Sequence, residues 1–187
     1  MILKAVDIRD FDFTGYGTYY NMTGDRERVY RTLGEEFEDY MTRTPLIDTP
    51  GHLGYTVGMG APYVLKAMEK HDHTQEALFC AADPVNLCVA KARGDEPPLA
   101  EDVRALILNP GDVAVLDRNI WHDACHGIGK RTAYYYLASQ GPAPALWVRV
   151  AGDRVLVQCS GRLKQTPGQD NPAPGRNTHS GTRQARH

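Results

Sequence analysis

The chain has no Cys-x-x-Cys pair and no cysteine cluster: its four cysteines, Cys80, Cys88, Cys125 and Cys159, are scattered over 187 residues. That excludes the spacing of a cysteine-based zinc module and argues against a disulfide framework, so the thiols are expected to pack as small hydrophobes. There is no excess of basic charge either. Lys and Arg number 21 against 23 Asp and Glu, for a net charge of −2, which gives no footing for a nucleic-acid partner. Apolar runs long enough for a membrane span are missing, and Met1–Asp7 has no apolar leader core. No nucleic acid, no membrane and a cytoplasmic setting are therefore expected. Helical periodicity between strand-like runs is also lacking, so a βαβ rhythm is not expected.

What is present is a chain that turns often, with 18 Gly and 12 Pro between short apolar runs. This pattern predicts an all-β domain, a sandwich or a closed jelly-roll barrel. Strands are expected at Ile2–Val6, Leu53–Gly58, Tyr63–His73, Ala77–Ala82, Asn86–Lys91, Arg104–Leu108, Val113–Leu116 and Thr132–Ala138. A closing hairpin is expected from Leu146–Val150 and Arg154–Gln158. Asn109-Pro110-Gly111-Asp112 is a strong turn signal. Residues 1–50 are read as an N-terminal extension of a domain covering 1–160. Residues 161–187 hold almost no apolar side chains and are expected to be disordered.

Chemistry concentrates in two stretches. In Lys70-His71-Asp72-His73-Thr74-Gln75-Glu76, the histidines stand two apart, so on a strand both imidazoles share one face. A turn after His73 would bring Glu76 back to them. Two imidazoles and a carboxylate suit a divalent ion such as Zn, Mn, Fe or Ni. The bland alternative is a solvated hairpin rim. The second stretch runs from Gly111 to His122. Its glycine-to-histidine spacing resembles the second motif of the cupin superfamily, with Asp117 and Asn119 as turn formers where that motif has proline and glycine. His71-x-His73 resembles the first cupin motif, although Glu76 follows after two residues rather than three or four. The resemblance implies a cupin-type jelly-roll β-barrel with His71, His73, Glu76 and His122 as metal ligands.

Several further islands are similar to the ureidoglycolate lyase family, a cupin family of bacterial purine-nitrogen salvage. They are His71 to Cys80, Gly94-Asp-Glu-Pro97, Arg104-Ala-Leu-Ile, Tyr16-Gly17 and above all Arg118-Asn119-Ile120-Trp121-His122. The likeness implies cleavage of (S)-ureidoglycolate to glyoxylate and urea by a homodimer that uses a divalent metal such as nickel. In this reading Arg118 holds the substrate carboxylate, while His126, Asp123 and Tyr136 are possible proton donors. Lys66 and Lys70 lie in the opposite strand phase from the histidines. His122-Asp-Ala-Cys-His126 also has the spacing of a zinc-protease helix, but the surrounding β pattern and Gly127-Ile-Gly129 speak against a helix there. Two rival functions share the fold: isomerisation or epimerisation of a sugar or sugar acid, and metabolite binding without catalysis.

Overall fold

The computed structural model describes residues 1–142, 144 and 146–159; the segment expected to be disordered, 161–187, lies outside the described residues. Seventeen short strands, numbered in chain order, and two 3₁₀ turns at Ile8–Asp10 and Ala100–Asp102 make up the described chain. None of its helices is long and apolar enough to cross a membrane.

Two five-stranded sheets face each other, as the all-β jelly-roll reading requires. The first contains β13 (Ile120–His122), β10 (Val85–Lys91), β11 (Arg104–Leu108) and β2 (Val6–Asp7) in that order, with β14 (His126–Gly127) also paired to β10. The second runs β3 (Gly17–Asn21), β12 (Asp112–Leu116), β9 (Glu76–Cys80), β15 (Thr132–Ala138), β6 (His52–Gly58). Side chains alternate across each strand, so each sheet turns one set inward. Val85, Leu87, Val89, Leu106, Leu108 and Ile120 from the first sheet meet Leu78, Ala114, Leu116 and Tyr134 from the second in one buried core.

The first sheet is also covered on its outer side, and the second over part of it. Behind the first, Cys88, Ala90, Ala105 and Trp121 pack against Leu65, Met68, Val155 and Val157. That outer layer is built by β1 (Ile2–Lys4), β17 (Val155–Gln158) and β7 (Tyr63–Leu65), and by β16 (Val148–Arg149) paired with β8 (Ala67–Met68). Outside the second sheet, the hairpin of β4 (Val29–Leu33) and β5 (Glu38–Thr42) and the segment after it lay Val29 and Ile47 on Tyr20, Ala77, Val113 and Val115.

Two sequence expectations are corrected. The single strand expected over Tyr63–His73 is broken, because the chain takes three successive partners within it: β7 pairs β17, β8 pairs β16, and Glu69 bridges His122. The hairpin expected from residues 146–158 does not form; β16 pairs with β8, while β17 lies between β1 and β7. The turn reading at 117–119 is met. Asn119 takes a left-handed φ of 65°, tolerated best by Gly, Asn and Asp, and its amide donates to the His71 carbonyl. That bond ties the two chemical stretches together.

Candidate metal centre

The inward register carries polar side chains to one end of the core. Leu78 faces inward, so Glu76, two residues earlier on β9, does too; its ladder partners Leu116 and Ala138 share that face. Ile120 faces inward, so His122 follows it. Glu69 is the antiparallel partner of His122, joined by reciprocal amide-to-carbonyl bonds of 2.8 Å, and therefore presents its carboxylate on the same side. His71, two residues on, completes the group.

The distances are short. The Nε2 atoms of His71 and His122 lie 3.0 and 3.1 Å from the same oxygen, Oε2 of Glu76. Glu69 Oε1 is 3.9 Å from His122 Nε2, and ligand atoms of Glu69, His71 and His122 all fall within 4.8 Å of one another. An octahedral ion with bonds of about 2.1 Å spans donors roughly 3.0 to 4.2 Å apart. Three of these separations already fit that range.

The tautomer of His122 points the same way. Its Nδ1 lies 3.1 Å from the Ile120 carbonyl oxygen, which can only accept, so Nδ1 carries the proton. In the neutral ring Nε2 then holds a lone pair. That atom is buried and has no well-formed hydrogen bond, yet it faces two carboxylates. Three acceptors converging in a buried space need a cation among them, either a proton or a metal ion. Without metal the proton takes the place. Burial alone would lower the His122 pKa, but the facing Glu76 carboxylate outweighs it and raises it to about 9. Burial alone would raise Glu76, but His122 and His71 bring it down to about 2. Glu69 is shifted upward by burial, partly offset by the two imidazoles. Two carboxylates and two imidazoles fit a divalent cation in charge and in donor type.

The remaining expected residues fall elsewhere. His73 turns its ring nitrogens to the Ser139 carbonyl at 3.2 Å and to Asp72 at 3.4 Å; its ring centroid is 5.8 Å from that of His71, but no nitrogen joins the cluster. Arg118 forms a two-pronged pair with Asp48, at 2.9 and 2.8 Å. His126 pairs with Asn86 in the ladder, whose side chain lies on the outer side of the first sheet. There its ring stacks on Tyr63 at 3.6 Å, behind the wall that His122 faces. Asp123 is enclosed with it, accepting from Tyr63 Oη at 2.5 Å and from the Cys88 amide at 2.7 Å. Tyr136 does face inward: it is the ladder partner of Leu78 and packs against the edge of the core. Glu69 was not singled out from the sequence. Its signal was there, since it stands two residues before His71 in the same strand phase.

Against known families, the ureidoglycolate lyase pattern matches residues 43–158, well over half of the chain and including every member of the cluster. No significant match exists among curated proteins. Solved structures that resemble the chain include the WlaRB TDP-quinovose 3,4-ketoisomerase of Campylobacter jejuni, at 12% identity over 65% of this chain and 88% of that one, with a TM-score of 0.45. Another is the dTDP-6-deoxy-D-glucose-3,5-epimerase RmlC of Legionella pneumophila, at 10% identity over 70% and 80%, with a TM-score of 0.46. Nothing about chemistry passes from these to the present chain. The match over residues 43–158, on a two-sheet jelly roll with an interior cluster of imidazoles and carboxylates, places the chain in the ureidoglycolate lyase family of the cupin superfamily.

Proposed function

We propose that this protein is a metal-dependent carbon–nitrogen lyase that cleaves (S)-ureidoglycolate, or a closely related small hydroxy acid, to glyoxylate and urea in purine-nitrogen salvage. Family membership supports the reaction class. The observation that carries the reading is the interior cluster of Glu69, His71, Glu76 and His122, in which a buried lone pair faces two carboxylates.

The substrate has a carboxylate on a carbon that bears a hydroxyl and a urea nitrogen. Cleavage takes the hydroxyl proton, closes the carbon–oxygen double bond, and sends the carbon–nitrogen electron pair to the nitrogen, which gains a proton. A divalent ion held by Glu69, His71, Glu76 and His122 would supply Lewis acidity toward the hydroxyl and carboxylate oxygens. Glu69, the less enclosed of the two carboxylates, is assigned as acceptor of the hydroxyl proton through its second carboxylate oxygen. Tyr136, on the inward face of β15, is assigned as the donor to the leaving nitrogen. Arg118 could take the substrate carboxylate only in exchange for Asp48, so it is assigned to the rim. His126 and Asp123, behind the first sheet, support the wall and take no part in proton transfer.

The test is metal analysis of the purified protein followed by an assay of glyoxylate release from each enantiomer of ureidoglycolate, with Ni, Mn, Zn and Fe added in turn. Metal-dependent release from the S enantiomer is expected. Bound metal without glyoxylate from either enantiomer would overturn the lyase assignment. Release that no chelator abolishes would overturn the role of the metal.

A further inference from the structure

The strand segment that carries His122 holds one residue more than its partner. β10 pairs Val89 with His122 and Asn86 with His126. Between these rungs Leu87 and Cys88 face three residues, Asp123, Ala124 and Cys125, so the chain bulges by one between β13 and β14. In an unbroken strand His122 and His126 would share a face. The bulge reverses the phase: His122 stays inside, Cys125 joins the core between the sheets, and His126 passes to the outer side, stacked on Tyr63. The neighbouring chain is shaped to this bulge. A Cβ on Gly58 would collide with the Cys125 carbonyl oxygen. Gly127 donates its amide to the Met59 carbonyl at 2.8 Å and accepts from the Ala61 amide at 2.7 Å.

Asp123 closes the ladder where the bulge opens it. Its amide donates to the Cys88 carbonyl at 3.2 Å. In a regular antiparallel pair the Cys88 amide would donate back to the main-chain carbonyl of residue 123. Here it donates to Oδ1 of the Asp123 carboxylate, at 2.7 Å. The other oxygen, Oδ2, accepts from Tyr63 Oη at 2.5 Å, which ties the bulge to β7 in the outer layer. Asp123 is 2% exposed and Cys88 fully buried, so water does not stand in for either bond. Without the carboxylate the Cys88 amide would be buried and unpaired, a cost relieved by flattening the bulge into regular pairing. A one-residue change of register turns side chains to the other face. His122 stands directly before the bulge, its own amide and carbonyl committed to Glu69 on the opposite edge.

We propose that Asp123 is a positioning residue of the metal centre: by holding the bulge closed it fixes the main chain of His122, and with it the aim of His122 Nε2 toward Glu76 and Glu69. Its carboxylate lies on the outer side of the first sheet with Tyr63 and Cys88, so it acts through the chain and not as a ligand. The inference rests on the metal reading of Glu69, His71, Glu76 and His122, and does not depend on the reaction assigned above.

The Ni²⁺ affinity of the full chain, measured by chelator competition, tests it. Asp123→Ala should weaken Ni²⁺ binding about tenfold or more while circular dichroism shows an unchanged fold. Asp123→Asn should stay within about threefold of the wild type. Its side-chain oxygen still accepts from the Cys88 amide, and Tyr63 can turn its hydroxyl to Asn86 Oδ1, 3.0 Å away. A purely structural role would lower the unfolding temperature of the alanine variant and leave its Ni²⁺ affinity alone. That result overturns the proposal, as does a loss in Asp123→Asn equal to that in Asp123→Ala. If the alanine variant does not fold, hydrogen exchange on the wild type decides. Opening of the bulge should release the ion, so saturating Ni²⁺ should slow exchange of the Cys88 amide about tenfold or more, and unchanged exchange there refutes the coupling. A wild type that binds no Ni²⁺ overturns the metal reading itself, a failure distinct from an unaltered affinity in Asp123→Ala.

Discussion

His122 spends its Nδ1 proton on the Ile120 carbonyl, and that one bond decides what Nε2 can offer. A neutral imidazole held this way presents a lone pair to a cation; a protonated one pairs with Glu76. Two measurements separate ligands from bystanders. Glu69→Gln should weaken metal binding tenfold or more in a chelator competition, whereas His73→Ala should change it less than threefold, since its nitrogens are turned to Ser139 and Asp72. Equal effects would restore His73 to the ligand set. The metal-free protein should also show a distinctive stability profile. His122 is raised from 6.5 to about 9, so its contribution is full below pH 6.5 and is lost as pH rises through 9. Glu76 is lowered from 4.5 to about 2, so its contribution is full above pH 4.5 and is lost as pH falls through 2. Unfolding temperature should therefore peak between pH 4.5 and 6.5, with the shared ion pair contributing on the order of 3 kcal/mol there. Calorimetry that finds no alkaline fall in the stripped protein, or the same fall with saturating metal, would contradict the pairing. Residue chemistry was partly legible in the sequence. The spacing of His71, Glu76 and His122 could be read because each stands near a turn that fixes it. Glu69 could not be ranked, since only the bridge to His122, formed across the fold, aims it at the others.

At the scale of elements, β6 and β15 show how an inward-facing ring is accommodated. Tyr136 lies across Gly54, its ladder partner; a Cβ there would sit 2.0 Å from the phenol ring. The glycine thus gives the ring room against the sheet. Gly54→Ala should destabilise the fold by about 1–3 kcal/mol, the usual cost of overpacking, and should raise KM for the substrate without changing metal affinity. Combining it with Tyr136→Ala should remove most of the stability cost of the alanine, because the clash has lost one partner. Denaturant melts of the two single variants and the double variant give the coupling, and strictly additive effects would refute the contact. Strands that keep one partner along most of their length on at least one side, such as β10 with β11 and β15 with β6, were readable as short apolar runs. Residues 63–73 were not, because three successive partners interrupt the phase there, and partner identity leaves no periodic mark. The same holds for β16 and β17, whose short apolar runs suggested a local hairpin but pair with strands more than 70 residues away.

For the molecule as a whole, the first and last described strands meet: β1 pairs in parallel with β17, and β17 also holds β7. The C-terminal strand is therefore part of the layer that backs the first sheet, with Val155 and Val157 fully enclosed. The residues beyond it differ in kind. From Gln165 to His187 the chain is nearly devoid of large apolar side chains, so it has little to gain from packing. This contrast was legible from composition and sets the proposed boundary of the domain at about residue 160. A chain ending at residue 160 should keep the unfolding temperature, metal affinity and activity of the full protein. A chain ending at residue 154 should not fold. It loses two buried valines, each contributing about 1.5–3 kcal/mol, together with the backbone bonds that β17 makes to two strands. The sum rivals the 5–15 kcal/mol by which domains of this size are stable. Soluble expression, circular dichroism and calorimetry of the two truncations check both halves. A drop in unfolding temperature for the longer truncation would extend the domain into the tail, and a folded shorter truncation would show that the outer layer is dispensable to the barrel that carries Glu69, His71, Glu76 and His122.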